Sequence, residues 1–270
     1  MVARVAVGRA PVAREVRAAE SLADALRAPV TARAPWLTAV LNEDAARRTL
    51  ARPVAVVVDG SGDGPPRAAA FLSLRRRAAR TVVSVLGQEL LPLPGGRPPA
   101  RLLARDDDAA GQLADGVLGL LGAQHGPWSL RLSGLPLGDP TVRALAARLP
   151  TSVTANARST RLVDALDDIG PVERGCDPRL LERWLPELLA AVPQRRQRAF
   201  VRAAARLHAA IGRLEVAVVA DGDRLRAGLL TLVDGEDRWP WWGIAGEGGL
   251  RTEMGAPVVT LSGAGWRRPG

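Results

Sequence analysis

Apolar and polar residues alternate, or run apolar, in two widely separated stretches of this chain, and recur at helical spacing in the segments around them. Val54–Gly60 reads VAVVVDG and Val216–Gly222 reads VAVVADG, six identities in seven positions. The likeness continues through RAAAFLSL (Arg67–Leu74) against RAGLLTL (Arg226–Leu232), and then TVVSVLG (Thr81–Gly87) against WPWWGIAG (Trp239–Gly246). Each copy is dense in Val, Leu and Trp and is broken by Asp-Gly, so each predicts three strands joined by tight turns. The copies lie about 160 residues apart, too far for a solenoid repeat and right for two related domains.

Helical patterns precede both meanders. Val12, Val16, Ala19, Ala23 and Leu26 share one face in residues 1–28. A second helix is predicted from Pro35, presenting Trp36, Leu37, Val40, Leu41 and Leu50, with Pro53 closing it. Between the copies, Gln88–Pro99 is a Pro/Gly-rich crossing and Asp107–Leu121 a helix with acidic residues favourable at its start. Trp128–Leu132 predicts a strand, Thr141–Leu149 a short helix and Ser152–Val163 a strand or linker. Asp177-Pro178 is an N-cap signal for a helix that buries Leu181, Trp184, Leu185, Leu188 and Leu189, with Pro186 kinking it. Gln194–Ile211 is the longest clean helix; its stripe is Phe200, Ala204, Leu207, His208 and Ile211, and Gly212 ends it. The predicted organisation is a helical segment over 1–34, a first unit over 35–163, a second and incomplete unit over 164–246, and a Gly-rich, weakly patterned tail over 247–270.

The 270 residues include 47% hydrophobic positions, enough for two cores. No run approaches the ~18 apolar residues of a membrane span, and no secretory signal is visible. The formal charge is +9, yet every one of the 37 basic residues is arginine and tyrosine is absent. A very GC-rich genome encodes such a composition, so the charge is weak evidence for nucleic acid. Cys176 is the one cysteine. It has no pairing partner, no metal-ligand spacing and no activating histidine, and a reducing cytosol is the default setting.

The ordered helix, meander and DG hairpin, and above all Phe200–Gly246, resemble the GNAT acyltransferase superfamily. Duplication of the unit resembles its tandem branch, the FemAB-like and cellulose-biosynthesis-protein-like acetyltransferases. The likeness spans roughly residues 35–246. It implies an α/β (α+β) fold of two tandem GNAT-like units, each with helices on an antiparallel-rich mixed sheet. It also implies acetyl-CoA or another acyl-CoA as donor and a small-molecule or cell-envelope amine or hydroxyl as acceptor. The site would be the V-shaped gap after a bulged central strand, at the end of Thr81–Gly87 or of Trp239–Gly246. The family's Arg/Gln-x-x-Gly-x-Gly/Ala loop, whose N–H groups and following helix hold a pyrophosphate, has no match: Glu247-Gly248-Gly249-Leu250-Arg251 departs from it, and Arg267-Arg268-Pro269-Gly270 carries only its first half. The alternative is an inactive or truncated GNAT-like scaffold.

Candidate site residues each have a plainer role beside the functional one. Glu89 ends the first meander, where a base could stand. His208 is a general base if it borders a cleft and a packed core histidine otherwise. Arg198 and Arg202, with Arg195 and Arg206, form a basic helix face that could meet cofactor phosphates or simply water. It lacks the interleaved aromatics of a nucleic-acid reader. Trp239, Trp241 and Trp242 could wall an acceptor cleft or pack the core. Gly60-x-Gly62-x-Gly64 is followed by a strand, so a hairpin outweighs a dinucleotide loop. Glu215 and Asp221 are read as surface carboxylates, and His125 has no supporting partner.

Overall fold

The computed structural model describes residues 3–46, 51–60, 64–88, 93, 94, 96–192, 194–246 and 248–267; Leu50, Gly62 and Glu89 lie outside them. The chain forms two compact units: Met1–Leu90 with Pro99–Arg158 and Pro257–Gly270, and Leu91–Pro98 with Ser159–Ala256.

The first unit opens with β1 (Arg4–Val7), α1 (Arg9–Ala18), α2 (Glu20–Ala25) and α3 (Ala34–Ala46). The first repeat follows as β2 (Ala51–Val58), β3 (Ala68–Arg77) and β4 (Arg80–Val85), paired antiparallel in sequence. After β5 (Leu103–Ala104) come α4 (Asp107–Gly122), β6 (Gly126–Pro136), α5 (Pro140–Arg148) and β7 (Val153–Asp164). β4 and β6 pair in parallel, which requires a crossover, and α4 is that crossover. Its Leu113, Val117 and Leu121 pack on Val54, Val56, Leu72, Val83 and Leu130 of the sheet. At Gly116 a Cβ would stand 2.6 Å from Val56 Cγ1 and 2.5 Å from Ala3 Cβ, so glycine permits this close approach. Ala55 and Val57, on the other face of β2, are buried too. The run VAVVV is thus explained: its strand is covered on both sides.

The second unit contains β8 (Glu173–Gly175), α6 (Pro178–Ala190), α7 (Arg195–Ala210) and the second repeat as β9 (Leu214–Asp221), β10 (Arg224–Asp234) and β11 (Asp237–Ala245). Its strand order is β11-β10-β9-β8, with every pair antiparallel. α6 packs on β10 and α7 on β9. The opposite face, with Ala217, Val219, Ala227 and Leu229, is covered by Leu162, Leu166, Ile169, Val172 and Leu250. The Asp177 side chain accepts the Arg179 N–H at 2.8 Å, and the helix runs through Pro186. Gly212, at φ 69°, ends α7 with Arg213 N–H on His208 O and Gly212 N–H on Ala209 O, the paired bonds of a Schellman turn.

The two repeats share one register. Val54 faces Leu72 and Val56 faces Ala70; Val216 faces Leu230 and Val218 faces Gly228. They part first near the hairpin, where β10 slips against β9 between Leu225 and Ala227 while β2 and β3 pair without interruption, and again at the third strand. β4 pairs with β3 without interruption, whereas β11 slips against β10 so that Trp242 meets Leu230, Pro240 meets Thr231 and Trp241 bulges between them.

The Gly-rich stretch expected as a tail is instead an 18-residue strand, β12 (Leu250–Arg267). Its Val258–Arg267 portion pairs antiparallel with β6, completing the order β1-β2-β3-β4-β6-β12-β7. The boundary between the units falls inside β7 and β12.

A Cβ at Gly243 would lie 2.7 Å from Leu250 Cδ1 and 3.0 Å from Gly228 O, while one at Gly246 meets nothing within 4 Å. Gly243→Ala should therefore lower unfolding stability by about 1–3 kcal/mol, with Gly246→Ala close to neutral. Urea titration of the two variants checks the contrast.

Candidate functional site

Two places matter: the point where β4 and β6 separate, and the edge of β11. β4 and β6 stay paired only from Thr81–Ser84 against Trp128–Arg131. Beyond Val85 and Leu132 a gap opens whose backbone groups need partners. Residues 99–104 enter it. β2 occupies one side of β3 along Ala68–Arg75, so β5, which pairs Leu103 with Ala69 and Ala104 with Ala68, lies on the β4 side. On the other flank the Ala100 N–H donates to Gly134 O of β6 at 2.9 Å. Leu102 and Leu103 are 3% and 1% exposed. The segment is held at its start by Thr31 Oγ1 donating to Pro99 O and by the Arg101 guanidinium donating to Leu26 O at 2.8 Å.

Asp139 stands beyond β6. This buried carboxylate caps α5 by accepting the Val142 N–H at 3.0 Å, and the N–H groups of Thr141 and Leu102 also favour its ionised form. Burial pushes its pKa up, against the opposing pull of those N–H groups and of Arg101.

The first gap therefore does not suit an acyl-CoA. Its own backbone lies where an extended thioester arm would run. The start of α4, which would meet the pyrophosphate, carries Asp106, Asp107 and Asp108. Asp106 accepts the Ala109 N–H at 2.7 Å, and Arg67 bridges Asp106 and Asp108 at 3.1 and 3.0 Å. The Ala109 bond, then Arg67, holds the Asp106 carboxyl below its usual range. A phosphate arriving there meets carboxylates in place of free N–H groups.

β11 ends its sheet, laddered to β10 alone among the described strands. Trp241 is fully buried and meets Phe200 edge-on, ring centroids 6.4 Å apart at 80°. Trp242 is 5% exposed and its indole N–H is buried without a hydrogen-bond partner among the described residues; Trp239 is half-buried. The turn after β11 reverses through Gly248 and Gly249, at φ 71° and 74°, and leads straight into β12. No helix follows to receive phosphates.

The other sequence candidates are scattered. His208 is 3% exposed, its Nδ1 2.8 Å from Ala204 O on its own helix, and burial lowers its pKa. It lies in the core between α7 and the strands, as a packed histidine does. Arg195 and Arg202 are exposed and Arg198 half-exposed on α7, and Arg206 is forked onto Glu182 of α6 at 2.7 and 2.6 Å. Glu215 is ion-paired with Arg238, Asp221 and Cys176 are exposed, and Gly60 belongs to the β2–β3 hairpin. Glu89 falls outside the described residues. Segment 99–104 and Asp139 were missed; the only signal in the sequence was Asp139-Pro140, an N-cap followed by a first-turn proline. Among the described residues no group of His, Cys, Asp or Glu is placed to hold a metal, and no helix is long and apolar enough to cross a membrane.

No protein-family profile matches the chain, and no curated protein matches it. Solved structures similar to it are GNAT acetyltransferases. One is a tandem GNAT protein from the clavulanic acid biosynthesis pathway, 12% identical over 99% of both chains with a TM-score of 0.40. Another is a GCN5-related N-acetyltransferase from Sphaerobacter thermophilus, 12% identical over 98% of this chain and 96% of that one, with a TM-score of 0.31. Likeness at this level carries no chemistry.

Two titrations test these placements. Because His208 is harder to protonate folded than unfolded, its contribution is present above the ordinary imidazole pKa and is lost as pH falls through it. Wild type should lose stability relative to His208→Gln between about pH 7 and 5. Asp139 has the opposite sense, holding its proton to higher pH when folded. The stability of wild type relative to Asp139→Asn should decline as pH rises from the ordinary carboxylate range through the raised folded value. Urea unfolding at stepped pH reads both, and a difference independent of pH would remove the burial argument for either group.

Proposed function

We propose that the protein is a GNAT-type acyltransferase, moving an acyl group from acyl-CoA or another activated carrier to an amine or hydroxyl, and that the second unit carries the donor site. The observation behind this reading is the bulge at Trp241 on a strand that ends its sheet. An edge strand offers N–H and C=O groups to an extended partner by strand addition, and a pantetheine arm is such a partner. The bulge turns the strand locally and breaks the ladder on the strand whose end the resemblance marks as a site.

The chemistry asks little of the side chains. The acceptor's nitrogen or oxygen, once deprotonated, adds to the thioester carbonyl, main-chain N–H groups hold the oxyanion, and the carrier leaves as a thiolate that takes up the proton. Trp241 and Trp242 serve by shaping β11 from behind, and half-buried Trp239 is the one of the three left to wall the acceptor. His208 keeps to the core. Without a helix N-terminus after β11, recognition falls on the arm more than on the phosphates. A FemAB-like assignment is not needed for this reading.

A second reading, a scaffold without turnover, draws on the closed gap and acidic helix start of the first unit. Calorimetric titration and thermal unfolding with acetyl-CoA, longer acyl-CoAs and acetyl-pantetheine separate the two. The acyltransferase reading expects one equivalent bound per chain, acetyl-pantetheine retaining much of the effect, and a midpoint raised by a few degrees at about 100-fold excess over Kd. Binding of two equivalents would contradict the closed first gap. No response to any thioester would leave the scaffold.

A further inference from the structure

The first unit holds a cleft, away from the gap at β4, that has the make-up of a small-ligand site. It has a volume of about 490 Å3 and lies past the C-terminal end of α4, where the helix stops covering the sheet. That volume falls within the roughly 300–1,000 Å3 of small-molecule clefts. The reason is geometric. α4 covers the rows through Val54 and Leu72, then ends at Gly122, while on the same face β2 and β3 continue for one more row, Arg52 with Leu74, and β3 runs on to Arg76 opposite Thr81 of β4. Leu74 and Thr81 form the exposed continuation of the floor, Val7 and Leu120 close its apolar sides, and Gln124 and His125 stand at the helix end.

Its charge is one-sided. Arg52 stands opposite Leu74 in the ladder and Arg76 two residues further along β3, so the two arginines rise from one face as diagonal neighbours, about 7–8 Å apart at their bases. Among the described residues neither has an ion-pair partner and no carboxylate lines the cleft. By contrast Arg67, Arg174, Arg206, Arg213 and Arg238 are each ion-paired. The C-terminal end of α4 opposes an anion with about half a charge; two whole guanidinium charges outweigh it. The Gln124 amide, donating to Leu120 O at 2.8 Å, already engages one of the helix's last carbonyls.

We propose that this cleft binds a small amphipathic anion, its apolar body over Leu74, Val7 and Leu120 and its carboxylate or phosphate between Arg52 and Arg76. An apolar floor with paired cations and no acid selects against both a bare phosphate, which leaves the floor uncovered, and a cationic amphiphile.

Titration of the full chain with decanoate, decyl phosphate, decyltrimethylammonium and inorganic phosphate tests this. Decanoate or decyl phosphate should bind saturably at one per chain, more weakly at high salt, and the comparison between them identifies the head group. Arg52→Ala and Arg76→Ala should each weaken binding about tenfold, the loss expected for a charge-assisted hydrogen bond, and the double variant should abolish it. Arg80→Ala should leave it unchanged. Both cleft arginines are exposed, so thermal unfolding of the variants without ligand should match wild type. The proposal fails if no amphiphile binds saturably, if the ammonium or plain phosphate binds as well as decanoate, or if the double variant binds like wild type.

Discussion

A splayed parallel pair is the constraint around which the first unit is built. Once β4 and β6 diverge, their inner backbone groups face each other across a space too wide for hydrogen bonds, and each buried group left unpaired costs about 1–3 kcal/mol. A protein can leave such a gap to an extended ligand or fill it itself. This one fills it, with residues 99–104 laddered to β3 on one side and bonded to Gly134 on the other. The filling then dictates its neighbours. Asp139 is buried where it starts α5 by accepting the Val142 N–H, and Thr31 and Arg101 tie the segment to the helices at the unit's beginning.

The duplicated meander shows how one pattern yields two different ends. Registers agree along Val54–Val56 and Val216–Val218, so the same alternation of Val, Ala and Leu builds the middle of the pair twice, although β10 slips against β9 between Leu225 and Ala227. The third strands separate the copies. Val82-Val83-Ser84-Val85 continues the pleat, and the chain crosses over through α4 to make a parallel partner. Pro240-Trp241-Trp242 cannot continue it: proline has no N–H to give, and two adjacent bulky indoles both find burial only through a bulge. β11 thus ends its sheet, and the chain turns back into β12. The cost of duplication without a second crossover helix is the loss of a phosphate-binding helix start. The donor site proposed for β11 rests on main-chain groups for that reason.

What was legible in the sequence follows from the range of the interactions involved. Local signals held: Asp177 caps the helix it was expected to start, acidic residues stand at the start of α4, Gly212 ends α7, and both DG turns join antiparallel strands. Long-range pairings were hidden. β12 escaped because most of Leu250–Pro257 is exposed and carries no alternation to read, as with Met254 at 75% exposure. Its partner β6 lies more than a hundred residues away. β5 is two residues long, and its ladder to β3 pairs residues more than thirty positions apart. His208 could be placed at either a cleft or a core from its stripe alone; its Nδ1 contact with Ala204 O is local to the helix, and the deciding fact, its burial, is tertiary.

The arginines carry the same lesson into function. A net charge of +9 made entirely with arginine says little about where a ligand sits, because surroundings decide what each guanidinium does. On α7, Arg202 is exposed and Arg198 half-exposed, and Arg206 already meets Glu182. Spacing of three and four made that face conspicuous in the sequence. Arg52 and Arg76 are 24 positions apart and drew no notice. The β2–β3 register sets them on one face beside Leu74, past the end of the helix that would have covered them. Periodicity finds faces, but a site needs a hollow. In this fold the hollow appears where an element stops one turn short of the sheet it covers.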